Sequence, residues 1–293
     1  MLDNPTTCNS RVILRLIGRQ AMLYDRLSLW EQGIDLAAQS LTAVRRLGDK
    51  REIAFLLHAL GACSSAIGKT SEASQFHLEE LGVQKELNDQ RGEASALMCL
   101  GDLAREMGEF DEAKQFLAES VALSNRIGND EMCAYALLPL GYIECALGEY
   151  AEAKKHGAQA LAVFEMIGNP ITIPLALCVL GQAAAGTGEV AEAREDYLRA
   201  IAIAVRSQEQ YQILEALSWL AILLSKQGKG EKAEELAVFI LHHVAINKEI
   251  NQRMTHLTAQ LEMQLAPSAV LASQAKGRTF QLEHLVDGDF LAE

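Results

Sequence analysis

Residues 100–113 read Leu100-Gly101-Asp-Leu-Ala-Arg-Glu-Met-Gly108-Glu-Phe-Asp-Glu112-Ala113, and forty positions on the chain reads Leu140-Gly141-Tyr-Ile-Glu-Cys-Ala-Leu-Gly148-Glu-Tyr-Ala-Glu152-Ala153. The same step runs outward in both directions. Leu60-Gly61 and Leu180-Gly181 continue the first pair, with Leu220-Ala221 closing the series. Gly68, Gly108, Gly148, Gly188 and Gly228 keep the register, as do Glu72-Ala73, Glu112-Ala113, Glu152-Ala153, Glu192-Ala193 and Lys232-Ala233. Fixed self-similarity at this period is the mark of a stacked repeat architecture.

Within each unit the apolar residues recur at three and four positions, as in Leu97, Leu100, Leu103, Ala104 and Met107, then Ala113, Phe116, Leu117 and Val121. That spacing predicts two amphipathic helices per unit. Gly68 and its equivalents predict a left-handed helix end, and a short turn makes the two helices antiparallel neighbours. Neither buries its stripe alone, so successive units must stack. Gly61, Gly101, Gly141 and Gly181 sit inside the first helix, where each costs about 1 kcal/mol relative to Ala. Close approach of a neighbouring side chain to bare backbone is the expected compensation.

The fold class is therefore all-α: an α-solenoid of about six antiparallel helix-turn-helix units, forming a right-handed superhelix with C-terminal capping helices. Its units are read as 11–49, 50–89, 90–129, 130–169, 170–209 and 210–249, the first degenerate. Residues 250–293 are read as capping helices and tail, with a break at Ala266-Pro267. The last segment, from Gly277, either caps the stack or occupies its groove.

Composition agrees. The 293 residues are 49 % hydrophobic but only 5 % aromatic, with five prolines, which favours helices over strands. Lys plus Arg number 26 against 39 Asp plus Glu, a net charge of −13 that opposes sequence-independent nucleic-acid binding. Six cysteines without a CxxC pair, and a start lacking signal-peptide regions, point to a reducing, cytoplasmic setting. Gly168 to Gly188 carries no charge, but its two prolines and its place in the register argue against a membrane span.

The order Leu-Gly, then Gly seven residues on, then Glu-Ala resembles the tetratricopeptide repeat, with a longer period of 40 residues here. Together with the closing passage it also resembles the C-terminal sensor arm of bacterial signal-transduction NTPases of the STAND class. The resemblance implies a non-enzymatic protein-interaction module, the regulatory arm of a signalling or transcriptional regulator. It would bind a peptide, a protein segment or a small effector in a concave groove, with an NTPase or effector domain upstream. The alternative is a freestanding peptide-binding adaptor. Aligned on Leu-Gly, the family's groove positions fall on Phe55, His58, Ala62 and Ser65; Ser95, Met98, Asp102 and Arg105; Tyr135, Leu138, Tyr142 and Cys145; Leu175, Cys178, Gln182 and Ala185; and Glu215, Ser218, Ile222 and Ser225. Of these, Phe55, His58, Met98, Asp102, Arg105, Tyr135, Leu138, Tyr142, Cys178 and Gln182 are the candidate binding residues. Tyr135, Leu138 and Tyr142 share one helical face, with Met98 and Cys178 beside Leu138 as an apolar floor. Pro139 among them predicts a bend.

No catalytic, cofactor or metal set emerges from spacing. Gly61 to Thr70 ends in Gly-Lys-Thr, but the earlier glycine a phosphate loop requires is Cys63. The seven histidines form no HExxH, His242-His243 reads as a helix-end pair, and Asp287-Gly288-Asp289 lacks the remaining calcium-loop ligands.

Overall fold

The structure is a computed structural model that describes residues 29–282 without a break, together with residues 16, 19, 20, 22–24, 27 and 285. Cys8, the opening of the first repeat, His284 and Asp287-Gly288-Asp289 lie outside the described residues. Among the described residues there is no strand, and thirteen helices of 11 residues or more follow one another. They are α1 (Trp30–Leu47), α2 (Lys50–Ala66), α3 (Thr70–Leu87), α4 (Gln90–Glu106), α5 (Phe110–Arg126), α6 (Asp130–Leu147), α7 (Tyr150–Ile167), α8 (Ile173–Thr187), α9 (Val190–Ser207), α10 (Gln210–Lys226), α11 (Gly230–Leu241), α12 (Lys248–Gln264) and α13 (Pro267–Gly277).

The turns explain the regularity. Left-handed backbone recurs at Gly48, Gly68, Asn88, Gly108, Gly128, Gly148, Gly168, Gly188, Gln208 and Gly228, every twentieth residue. Each stops a helix and reverses the chain. The two kinds of turn differ in what comes next. Three turns leading into the first helix of a repeat carry Asp or Asn whose side chains accept from backbone amides of the new helix: Asp49 from Glu52 (3.3 Å), Asp89 from Gly92 (3.1 Å) and Asn129 from Met132 (3.1 Å), whereas Glu209 before α10 makes no such cap. Turns within a repeat carry Lys or Glu at that point and make no side-chain cap. Gly68-Lys69-Thr70 is one of these turns: the Lys69 amide donates to the Ser64 carbonyl and closes the helix end.

The chain divides into two compact units, 1–136 and 137–293. In the first, each of α1 to α5 packs on the next. In the second, α7 to α11 do likewise, α8 also meets α10, and α12 and α13 both lie on α11. Ile250, Met254, Leu257 and Leu261 of α12 join the core there. Consequently α11 is covered on all sides, with Ala233 through Ile240 all buried, including Glu234 and Glu235. The Gln274 amide donates to Glu234 (3.0 Å) and the Lys276 ammonium pairs with Glu235 (2.8 Å), so the covering helix supplies partners for both carboxylates.

The repeat glycines are contact points. A Cβ on Gly101 would lie 2.5 Å from Leu117 Cγ, and one on Gly181 would lie 2.5 Å from the Tyr197 ring; at Gly61 it would strike the His77 ring. The intruding side chain always comes from sixteen residues on, in the second helix of the same repeat. In the 130–169 repeat that position is itself glycine, Gly157. Val179 of α8 fills the space instead, 2.5 Å from a Cβ on Gly141 and 3.1 Å from one on Gly157. The last pair is Ala221 with Ala237, both fully buried. The expected compensation for glycine is thus the seat of one large side chain per repeat.

The uncharged stretch is explained by packing as well. Ala176, Leu177, Cys178 and Val179 are all 0 % exposed, because α8 is enclosed by α7, α9 and α10. Among the described residues no helix is long and apolar enough to cross a membrane. The α6 helix runs continuously through Pro139, which is buried.

Candidate functional site

In the unit of residues 1–136, α2, α3 and α4 enclose an open pocket of about 370 Å³. Phe55 and His58 of α2 line it, together with Glu80 and Gln84 of α3, Ser95 of α4 and Met132 at the start of α6. Arg51 and Arg91 stand at its rim on equivalent positions of successive repeats, both exposed. The pocket therefore joins an aromatic and apolar wall to two cations and two carboxylates, Glu80 and Asp89. Met98, Asp102 and Arg105 are not among its lining residues. Asp102 accepts from Arg105 Nε at 2.7 Å, one turn apart on α4, which fixes the guanidinium in a side chain only 13 % exposed. Tyr135 is partly buried at the end of this unit.

Behind the pocket wall lies a cluster that sequence spacing missed. His58 Nδ1 and His77 Nδ1 both meet the Glu80 carboxylate, at 3.3 and 2.8 Å, and the two rings sit edge to face with centroids 5.5 Å apart. Burial alone would push the Glu80 carboxyl up; hydrogen bonds and charge from both histidines outweigh it and hold the group below the usual carboxylate value. Cys99 of α4 stands next to them, its thiol pushed well up by burial and then by Glu80 and Asp102.

The unit of residues 137–293 holds a second polar centre around Glu215 of α10. Arg253 Nη1 donates to Glu215 Oε2 at 3.0 Å and to Ser218 Oγ at 2.6 Å, while its other terminal nitrogen donates to Glu249 at 3.1 Å. The indole nitrogen of Trp219 donates to Glu215 Oε1 at 2.7 Å, and the Arg253 guanidinium stacks 3.9 Å over that indole ring. Tyr142 of α6 donates its hydroxyl to the same carboxylate oxygen at 3.4 Å. Burial, followed by the Glu215 charge, raises the Tyr142 phenol well above its ordinary pKa, so the hydroxyl keeps the proton it donates to Glu215. Burial would lower the Arg253 pKa, but Glu215 and Glu249 more than reverse this, and the guanidinium stays charged.

Two expected groove residues prove to be core. Leu138 is 5 % exposed and Cys178 0 %, because neighbouring helices close over them, so neither forms the apolar floor assigned from spacing. Gln182 is partly buried, its amide turned back onto the Cys178 carbonyl at 3.2 Å. Glu215 and Ser218 are buried on α10, and their partner Arg253 lies on α12, past the end of the repeating register. The departure of Glu215 from an apolar face is the one sequence signal of that centre.

Residues 92–166 match the family model described as tetratricopeptide repeat. Over that stretch the chain is similar to tetratricopeptide repeats. Solved structures of similar fold include a Rap protein complexed with Competence and Sporulation Factor, 16 % identical, covering 90 % of this chain and 76 % of that one with a TM-score of 0.66. NprR in complex with its cognate peptide NprX is 14 % identical over 89 % of this chain and 78 % of that one, with a TM-score of 0.62. A STAND protein with a tetratricopeptide repeat sensor from Pyrococcus horikoshii is 17 % identical over 90 % of this chain, with a TM-score of 0.55; the chain spans 38 % of its length. At these identities the likeness is one of fold. Comparison with curated protein sequences returns no match. In tetratricopeptide terms, the pocket lies on the first helices of two consecutive repeats and the second helix between them.

Proposed function

We propose that this chain is a non-catalytic recognition module that binds a peptide or protein segment, serving as the sensing arm of a signalling regulator. The observation that carries the reading is the open pocket of the 1–136 unit, where Phe55 offers a rigid aromatic wall and Arg51 and Arg91 offer paired cations. Aromatic and Arg anchors in a concave site supply most of the binding energy in protein recognition. The structural neighbours lend support, since one is described with its cognate peptide and another as a sensor in a STAND protein. Phe55 and His58 belong to this pocket; Asp102 and Arg105 stand on α4, the helix that gives it Ser95, and Tyr142 holds the repeat position of Asp102 in the 137–293 unit. A ligand that prefers one arrangement of the stacked helices shifts the population toward it, and a neighbouring effector domain reads the change.

Display selection of random peptides against the full chain tests this. Selected peptides should lose at least about tenfold in affinity to Phe55→Ala and to Arg91→Ala, which is about 1.4 kcal/mol each. Peptides that bind both variants as well as the parent chain would remove the pocket from the function.

A further inference from the structure

We propose that His58, His77 and Cys99 form a binding site for a divalent transition-metal ion, zinc in the first instance, with the Glu80 carboxylate holding both imidazoles. One ring nitrogen from each histidine and the Cys99 sulfur lie within 4.8 Å of one another. Zinc bound at about 2.0–2.1 Å from nitrogen and 2.3 Å from sulfur sets tetrahedral donors roughly 3.5 Å apart, so closure on the ion asks for about 1 Å of approach. Histidine and cysteine are the donor types zinc selects, and a carboxylate bonded to the ligating histidines is its usual second layer. Glu80 already makes that contact with both rings, at 3.3 and 2.8 Å. A thiolate and a carboxylate together balance the charge of a dication.

The repeat itself supplies an internal comparison. The positions equivalent to His77 hold Leu117 and Tyr197 in other repeats, those of Glu80 hold Ser120 and Ala160, and Cys99 corresponds to Ala59. Apolar or small residues therefore suffice for stacking. Here three helices depart from the pattern together, and the departures converge in space. His77 is 2 % exposed and seated against Gly61, and Glu80 is 2 % exposed, so two ionisable groups are buried where a leucine and an alanine would pack. His58 differs from them: it also lines the open pocket, so the ion would sit in the wall of a site reachable from solvent, with its fourth position free for water or a bound ligand's donor atom. The site is independent of the peptide-binding reading.

The test uses Zn(II) and Co(II) alone with the reduced, chelator-stripped full chain, followed by calorimetry and by absorption. The expected result is one equivalent bound, with a thiolate-to-Co(II) charge-transfer band. Cys99→Ala and His77→Leu restore residues that other repeats use, and circular dichroism confirms that each keeps its helix content. Both should lose the band and weaken binding by more than the 10- to 100-fold typical of an outer-layer change, the latter being the loss expected for Glu80→Gln. No equivalent bound, or one bound unchanged in Cys99→Ala and His77→Leu, overturns the assignment and leaves a purely structural His-Glu-His contact.

Discussion

Gly101→Ala is the sharpest test of how the repeats are locked. In an open helix the change would stabilise by about 1 kcal/mol through propensity. Here the new methyl would lie 2.5 Å from Leu117 Cγ, 2.8 Å from Cδ2 and 3.2 Å from the Ala113 carbonyl oxygen. Overpacking of this kind costs about 1–3 kcal/mol before the propensity gain, so a net loss of roughly 1 kcal/mol is expected. With a urea slope near 2 kcal/mol/M, that lowers the midpoint by about 0.5 M. Leu117→Ala alone should cost about 2–5 kcal/mol as a cavity. Introduced on top of Leu117→Ala, however, Gly101→Ala meets neither leucine carbon and should stabilise by up to about 1 kcal/mol, recreating the pair that Ala221 and Ala237 form in the chain itself. The sign change between backgrounds, a coupling of about 1–3 kcal/mol, is the signature sought by equilibrium denaturation. Gly82→Ala is the internal control: nothing lies within 4 Å of its added methyl, and it should stabilise. If Gly101→Ala is neutral or stabilising in the parent chain, the glycine is not a seat for Leu117 and the packing argument fails.

Two further outcomes follow from buried charge. Arg253→Met strands the Glu215 carboxylate, only 4 % exposed, and should cost about 3–5 kcal/mol by chemical denaturation, with part regained in Arg253→Met combined with Glu215→Gln. Asp196 titrates at about 6 rather than its usual 3.8, chiefly from burial and then from Glu192. Its folded form therefore binds the proton more tightly than the unfolded form, and its contribution to stability rises as pH falls through 6 toward 3.8. Asp196→Asn should melt higher than the parent at pH 7 to 8, with the gap closing by about pH 4; a gap that does not change with pH would count against it.

Much of the fold is legible in the residues because it rests on local sterics that recur. A left-handed turn favours glycine or asparagine wherever it falls, so Gly68 and Gly108 announce their role without any structure. The seat at Gly101 is nearly as plain, since only a packing reason offsets a helix-interior glycine. What sequence leaves hidden is convergence. His58, His77 and Cys99 stand on three different helices at spacings of 19 and 22 residues that match no motif, and only the stacking brings them together. Arg253 is hidden for a different reason: it lies after the register ends, so no repeat equivalent marks it as the partner of Glu215. For Leu138 and Cys178, alignment on Leu-Gly gives a face but not how far neighbouring helices close over it, and both are core.

The pairing of Gly141 with Gly157 has a consequence for how such an array is able to change length. Repeats 50–89, 90–129 and 170–209 each carry both halves of their own lock, a glycine and the side chain that fills it. Of these, 50–89 and 90–129 neither lend their filling side chain to the glycine seat of another repeat nor borrow one for their own, whereas 170–209 also lends Val179 to its predecessor. The 130–169 repeat has no lock of its own, because its keyhole is occupied by Val179 of its successor. Those two travel as an eighty-residue block, and gain or loss of modules in this lineage should respect that seam.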